Sequence, residues 1–218
     1  MSTGNPANKN EPPLNSLYWN LWKMGPTPLN QIINTQFYKN LQGNNYDANA
    51  VYVYNMNDFF WVDALQGLME TAATMEGKTP HPSIQFALYY LNSKLNERIN
   101  GYETVWNLQR GMWAPTDVYV KYAHFLFNTL LNDGVFYFMC AALARLTLWG
   151  ILPNTINPTN PDYAKWVQWK NSQELSYVIG NQMDYYSNDN PGSYDIHKAL
   201  SIYGDSLNYE VQFTQVIA

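Results

Sequence analysis

The side chains best suited to chemistry are few and scattered. Three histidines, His81, His124 and His197, lie far apart in the chain. No pair has the i, i+3 or i, i+4 spacing that sets two imidazoles on one helix face to share a metal ion. His81 sits between prolines, His124 in an aromatic run and His197 after a polar stretch, settings that suit structural imidazoles. Cys140 is the single cysteine and lies in the most apolar part of the sequence. That favours a buried, inert thiol over a nucleophile, and one cysteine excludes both an intramolecular disulfide and a cysteine-based zinc site. Asn188, Asp189, Asn190 and Gly192 faintly resemble a calcium loop but lack its regularly spaced carboxylates and closing glutamate. There is no Gly-x-Ser-x-Gly, no Gly-rich phosphate loop and no Glu-x-x-His. No catalytic residue, cofactor or metal is therefore expected. An unfamiliar enzyme site would best be sought at Asp117, His124 and Arg145, on adjoining predicted helices. Arg145, the one charge in its apolar segment, is explained as well by packing against a carboxylate such as Asp133 or Asp117.

Aromatic residues are the more prominent resource. The chain has 218 residues, of which 16% are aromatic, 46% hydrophobic and only 13% charged, against roughly 25% charge in ordinary globular chains. Tyr and Trp offer large contact area with few rotors. Trp61, Tyr89, Trp106, Trp113, Trp166 and Trp169 are accordingly candidate interface residues; the same rings would also serve a wide aromatic core or line a small-molecule pocket between helices. A net charge of −5 without a Lys/Arg run lacks the electrostatic term that dominates nucleic-acid affinity, so direct binding to DNA or RNA is not expected.

Hydrophobic periodicity supplies the elements. Leu14, Leu17, Tyr18, Leu21 and Trp22 mark a short first helix, broken by Pro26 and Pro28. Leu29, Ile32, Ile33 and Phe37 form a second stripe. Trp61, Leu65, Leu68, Ala72 and Met75 define an amphipathic helix from Asp58 to a stop at Gly77; Ile84, Leu88, Leu91, Leu95 and Ile99 define another, with Ser83 as its cap and Asn100-Gly101 as its stop. A third, capped by Thr116 or Asp117, ends at Asn132-Asp133-Gly134 in a tight reversal. Residues 135–149 are apolar nearly all round, as expected of a central helix. At ~1.5 Å per residue they span about 22 Å, short of the ~30 Å of a bilayer core, so no transmembrane segment is expected. Trp166 to Met183 reads as one helix, 184–195 as a polar loop and 196–207 as a short helix. The alternation of Tyr209, Val211 and Phe213 suggests a terminal strand or extended arm. The expected architecture is a mostly α, single helical domain over 14–207 around the 135–149 helix. A flexible arm over 1–13, without the apolar region of a signal peptide, precedes it, and an arm over 208–218 follows.

Several short features fall in a collinear order. Asn132-Asp133-Gly134-Val135-Phe136, the apolar helix reaching Ala142 and Arg145, Gly150-Ile151-Leu152-Pro153, Tyr46-Asp47-Ala48-Asn49 and the aromatic helix of Leu17 to Trp22 together resemble the N-terminal helical domain of the arthropod hemocyanin, phenoloxidase and hexamerin superfamily. The family's copper centre needs six histidines in a following domain, which this chain does not have. The resemblance thus implies the copper-free hexamerin branch and a non-enzymatic, self-assembling storage or structural protein, a homo-oligomer with aromatic, weakly charged interfaces. A virion coat or surface-layer subunit with exchanging terminal arms is the first alternative, and a helical small-molecule binder the second. The compartment stays open, with an extracellular or assembly-associated setting favoured over a membrane-embedded one.

Overall fold

The computed structural model describes residues 10–43, 45, 47–75, 81–111 and 114–217. The regular structure of the described residues is helical throughout: α1 (Leu17–Trp22), α2 (Pro26–Ile33), α3 (Gln36–Gln42), α4 (Ala48–Met75), α5 (Pro82–Val105), α6 (Asp117–Asp133), α7 (Val135–Thr155), α8 (Pro161–Trp169), α9 (Gln173–Asp189) and α10 (Ile196–Val216). The apolar α7 is the axis. It packs against α4, α6, α8, α9 and α10, while α5 closes the far side by packing on α4 and α9. By length and composition alone α7 could cross a bilayer, but its apolar surface is buried among these neighbours. The mostly α, single-domain architecture around this helix is as the sequence leads one to expect.

Local chemistry sets most boundaries. Gly134, at φ 96°, separates α6 from α7, and only glycine adopts that backbone without penalty. The prolines at 26 and 28 open α2 rather than ending a helix, because a first-turn proline forfeits an amide that would have no partner there. His81 caps α5, its Nδ1 accepting from the Ser83 amide at 3.3 Å, and Pro82 follows at the first position. Ser83 is thus inside the helix rather than its cap.

Five expectations need correction. The 29–37 stripe is two helices, divided where Thr35 leaves the helical conformation and its hydroxyl donates to the Ile32 carbonyl at 2.7 Å. Helix α4 begins ten residues before Asp58, because Val51, Tyr54 and Asn55 already lie on its buried face. Helix α5 passes through Asn100-Gly101 to Val105. Gly101 is there for space: a Cβ at that position would lie 2.9 Å from the Trp169 ring. The 166–183 segment breaks at residues 170–172 into α8 and α9. Lastly, residues 208–216 are helical. In α10 the buried positions are Ala199, Ile202, Tyr203, Ser206, Leu207, Glu210, Val211, Phe213 and Thr214. This is the 3.6-residue period of a helix, so the alternation of Tyr209, Val211 and Phe213 is a short-window coincidence, and residues 208–216 belong to α10 rather than to an extended arm. Of the N-terminal arm, Asn10 to Pro13 are described. Pro12 is buried, its carbonyl accepting from Trp19 Nε1 at 2.8 Å, and Asn181 donates to the Asn10 carbonyl at 2.8 Å.

Candidate functional site: a charged centre closed by its own side chains

Six segments each send one polar side chain to the middle of the molecule. Asp58 comes from α4, Tyr102 from α5, Tyr119 from α6, Arg145 from α7, Lys170 from the C-terminal cap of α8 and Glu210 from α10. Arg145 Nη2 pairs with Asp58 Oδ1, and Arg145 Nη1 pairs with Glu210 Oε1. The same Nη1 donates to the Tyr119 hydroxyl at 2.6 Å. Lys170 Nζ pairs with Asp58 Oδ2 and donates to the Tyr102 hydroxyl, which itself donates to Asp58. None is more than 2% exposed among Asp58, Arg145, Lys170 and Glu210. Two carboxylates against two cations is a balanced set, which is the condition under which charges persist in an interior.

Aromatic rings form the wall. Arg145 lies over Trp61 at 4.7 Å and over Tyr119 at 5.4 Å. The Lys170 ammonium stands 4.6 to 5.8 Å from the ring centres of Tyr102, Trp169, Tyr54, Trp166 and Trp149. Such a cage attracts a cation through the rings' negative faces. Trp166 is itself held by Asn55, to which its Nε1 donates at 2.8 Å.

The fields in this cluster follow from burial and pairing. Burial alone would push the Asp58 carboxyl up, but Arg145 and then Lys170 outweigh it and hold the group well below the usual carboxylate range. For Arg145, burial opposes the charge while Asp58 and Glu210 secure it. Glu210 is raised, since burial outweighs its one guanidinium partner. Burial also brings the Lys170 ammonium down to about 7, against the attraction of Asp58. Between these groups remains a cavity of about 20 Å³ lined by Asp58, Trp61, Arg98, Arg145 and Trp149, among others. That is room for about one water molecule.

The residues singled out from sequence are dispersed. Arg145 is central, but its partners are Asp58 and Glu210; Asp133 instead pairs with Lys198 at 2.6 Å, and Asp117 and His124 are exposed on α6. The triplet Asp117, His124 and Arg145 is therefore not a site. Cys140 is fully buried in α7, and burial pushes its thiol well above the ordinary range. Asp189 closes α9 beside His81, 3.5 Å from Nε2. Of the candidate interface residues, Trp61 and Trp166 are 2% and 1% exposed and line the centre, so they cannot face a partner. Trp106 and Trp169 are half-buried against each other, with centroids 6.1 Å apart. Tyr89 is exposed on α5 beside Phe86, and Trp113 lies outside the described residues. Sequence reasoning overlooked Asp58 as a site residue, and Lys170 and Glu210 altogether. A signal existed: Asp58 falls among Tyr54, Trp61 and Val62, and Glu210 among Leu207, Val211 and Phe213, each a charge set into an apolar helical stripe.

No protein-family model and no curated protein matches the sequence. Solved structures do match. A TenA family transcription regulator from Silicibacter sp. TM1040 superposes with a TM-score of 0.78 at 14% identity, covering 94% of this chain and 97% of that one. A TenA homologue from P. horikoshii OT3 gives 0.73 at 14% identity over 93% and 98% of the two chains, and a TenA homolog from Pseudomonas syringae pv. tomato str. DC3000 gives 0.71 at 13% over 96% and 98%. These likenesses overturn the resemblance to the hemocyanin and hexamerin superfamily, and with it the storage and virion-coat readings. The Asn-Asp-Gly turn followed by an apolar helix, which carried that resemblance, is generic chemistry for reversing a chain between two buried helices. What the chain shares, over nearly its whole length, is the all-helical fold of TenA-family proteins.

Proposed function

We propose that this chain is a non-catalytic regulatory protein that uses a TenA-type helical fold to bind, with the middle of the fold given over to its own side chains. The observation that carries this reading is the centre itself, where Arg145 and Lys170 occupy the space between Asp58 and Glu210 and leave about 20 Å³. A general acid or base must come within hydrogen-bond reach of a substrate atom, and here both carboxylates are already engaged. The description of one similar structure as a transcription regulator agrees with such a role. With a net charge of −5, regulation here acts through a small ligand or a protein rather than through bare nucleic acid.

The competing reading is enzymatic, and a strongly perturbed lysine beside a carboxylate is the observation in its favour. Incubating the purified protein with a complex metabolite extract and following every component by mass spectrometry separates the two. No component should be consumed. Turnover of any metabolite that is lost in Asp58→Asn would overturn the non-catalytic reading.

A further inference from the structure

A second arginine lies one layer outside the charged centre, in a different electrostatic state. Arg98, on α5, forms the floor of an open cleft of about 720 Å³ between α5 and the start of α9. Its guanidinium lies on the Trp169 ring, 5.3 Å from the centroid. Only Nη2 has acceptors: the carbonyls of Trp169 and Lys170 at 3.4 and 3.3 Å and the Ser172 hydroxyl at 3.4 Å. All three are neutral and at the long limit of a hydrogen bond. A guanidinium carries five N–H donors in a planar fork; each two-donor edge of that fork includes the engaged Nη2, but the separate Nε and Nη1 donors of Arg98 have no acceptor among the described residues. Arg98 also has no carboxylate within ion-pair distance there, unlike Arg145 and Lys170 inside and Arg110 and Lys94 on the surface.

The charge balance points the same way. With Arg98 included, three cations, Arg98, Arg145 and Lys170, face two carboxylates, Asp58 and Glu210. The small internal cavity and the open cleft share Lys94, Arg98, Ser172 and Leu175, so Arg98 stands between the charged centre and the cleft. Asp58 attracts Arg98 only from beyond ion-pair distance, and a half-buried cation without a direct carboxylate partner is costly; an anion accepting from its free donors relieves that cost.

The rim selects among anions. Glu97, paired with Lys94 at 2.8 Å, and Glu174 both border the cleft. With Lys94 and Arg98 against Glu97 and Glu174 the cleft has no formal net charge, which suits a monoanion better than a dianion. Tyr90 and Trp169 add flat apolar wall. We infer that the Arg98 cleft is a binding site for a small organic monocarboxylate, its carboxylate accepting from a free Nε or Nη1 donor of Arg98 and its apolar body resting against Trp169 and Tyr90. The site is independent of whether the closed centre has any catalytic role, since Arg98 lies outside the paired set.

Benzoate serves as the probe, because it joins one carboxylate to one planar ring, with acetate and inorganic phosphate as comparators and sodium chloride holding ionic strength constant. Titration calorimetry and tryptophan fluorescence on the full chain should show saturable benzoate binding, weaker binding of acetate and weakest of phosphate. In Arg98→Gln, checked for native far-UV circular dichroism, benzoate affinity should fall about tenfold or more, as expected for loss of a hydrogen bond between charged groups. Glu174→Gln, at an exposed position that leaves the fold undisturbed, should tighten benzoate and narrow the gap to phosphate. Three results would overturn the inference: no saturable benzoate or acetate binding by the wild-type chain, equal benzoate affinity in wild type and Arg98→Gln, or phosphate binding more tightly than benzoate.

Discussion

Arg145 and Arg98 are the same side chain, each stacked on an indole, only one layer apart, and they are used in opposite ways. Arg145 has a carboxylate on each Nη, a phenol besides, and 2% exposure. Arg98 touches neutral acceptors alone and opens to a cleft. A buried guanidinium with its partners supplied from inside the chain is architecture; one with donors left over at an open edge is a receptor for something from outside. Their titrations diverge accordingly: burial pulls the Arg98 guanidinium below its ordinary value, whereas Asp58 and Glu210 outweigh burial and hold Arg145 well above it. The number of carboxylates in reach makes the difference.

The largest effect should come from breaking the saturated member of the pair. Arg145→Met removes the only guanidinium between Asp58 and Glu210 and leaves Glu210 buried without a cation. The cost of breaking a buried pair is about 3–5 kcal/mol, a large share of the roughly 5–15 kcal/mol that holds a domain together. Urea denaturation should show a correspondingly lower midpoint. Adding Glu210→Gln to Arg145→Met should recover part of the loss, since it removes the stranded charge. A double variant no more stable than the single one would show that Glu210 does not depend on Arg145.

Next in size is the pH response set by Lys170. Its ammonium is brought down to about 7 in the folded chain from an ordinary value of 10.5, by burial against the attraction of Asp58 and with Arg98 and Arg145 also repelling it. Between those values the unfolded chain binds the proton more tightly. Stability should therefore rise as pH increases from about 7 towards 9, by at most about 1.4 kcal/mol per unit for one proton. Above that range the buried tyrosines, whose hydroxyls burial pushes up, reverse the slope as the unfolded phenols ionise. Lys170→Met keeps the flexible apolar stem inside the ring of aromatics and abolishes the titration. Its stability should be flat over pH 7 to 9 in thermal unfolding, and a slope equal to that of the wild type would assign the effect to another group.

How much of this was legible beforehand depends on the range of the physics. The apolar helix at the centre, the reversal at Gly134 and the faces of α4, α5 and α6 follow from local periodicity and turn chemistry, and they can be read from the sequence. Helix α10 was misread at its end because three alternating residues fit a strand as well as they fit one turn and a half of helix. The charged centre was invisible for a different reason. Asp58 and Lys170 are 112 positions apart and Asp58 and Arg145 are 87, so no spacing rule links them. The lone Arg145 in its apolar segment announced that a carboxylate must meet it, and an acid on an apolar stripe announced the converse, but neither named its partner. The misassigned superfamily has the same root, since buried helices joined by Gly turns resemble each other whatever fold they build.

The smallest effect on stability should come from the unsaturated member. Arg98→Gln removes three long hydrogen bonds to neutral acceptors, a cation–π contact with Trp169 and the attraction of Asp58, and it also removes the repulsion between Arg98 and both Lys170 and Arg145. These terms oppose one another, and the net change should stay within about 1 kcal/mol by urea denaturation. Because one unpaired cation fewer remains beside Lys170, the pH at which wild-type stability begins to climb should move upward in this variant. Both arginines stack on tryptophan, yet replacing one should take away a large share of the stability and replacing the other should leave it nearly unchanged. A loss in Arg98→Gln as deep as in Arg145→Met would make Arg98 a seventh strut of the centre, and the distinction between the two arginines would fail.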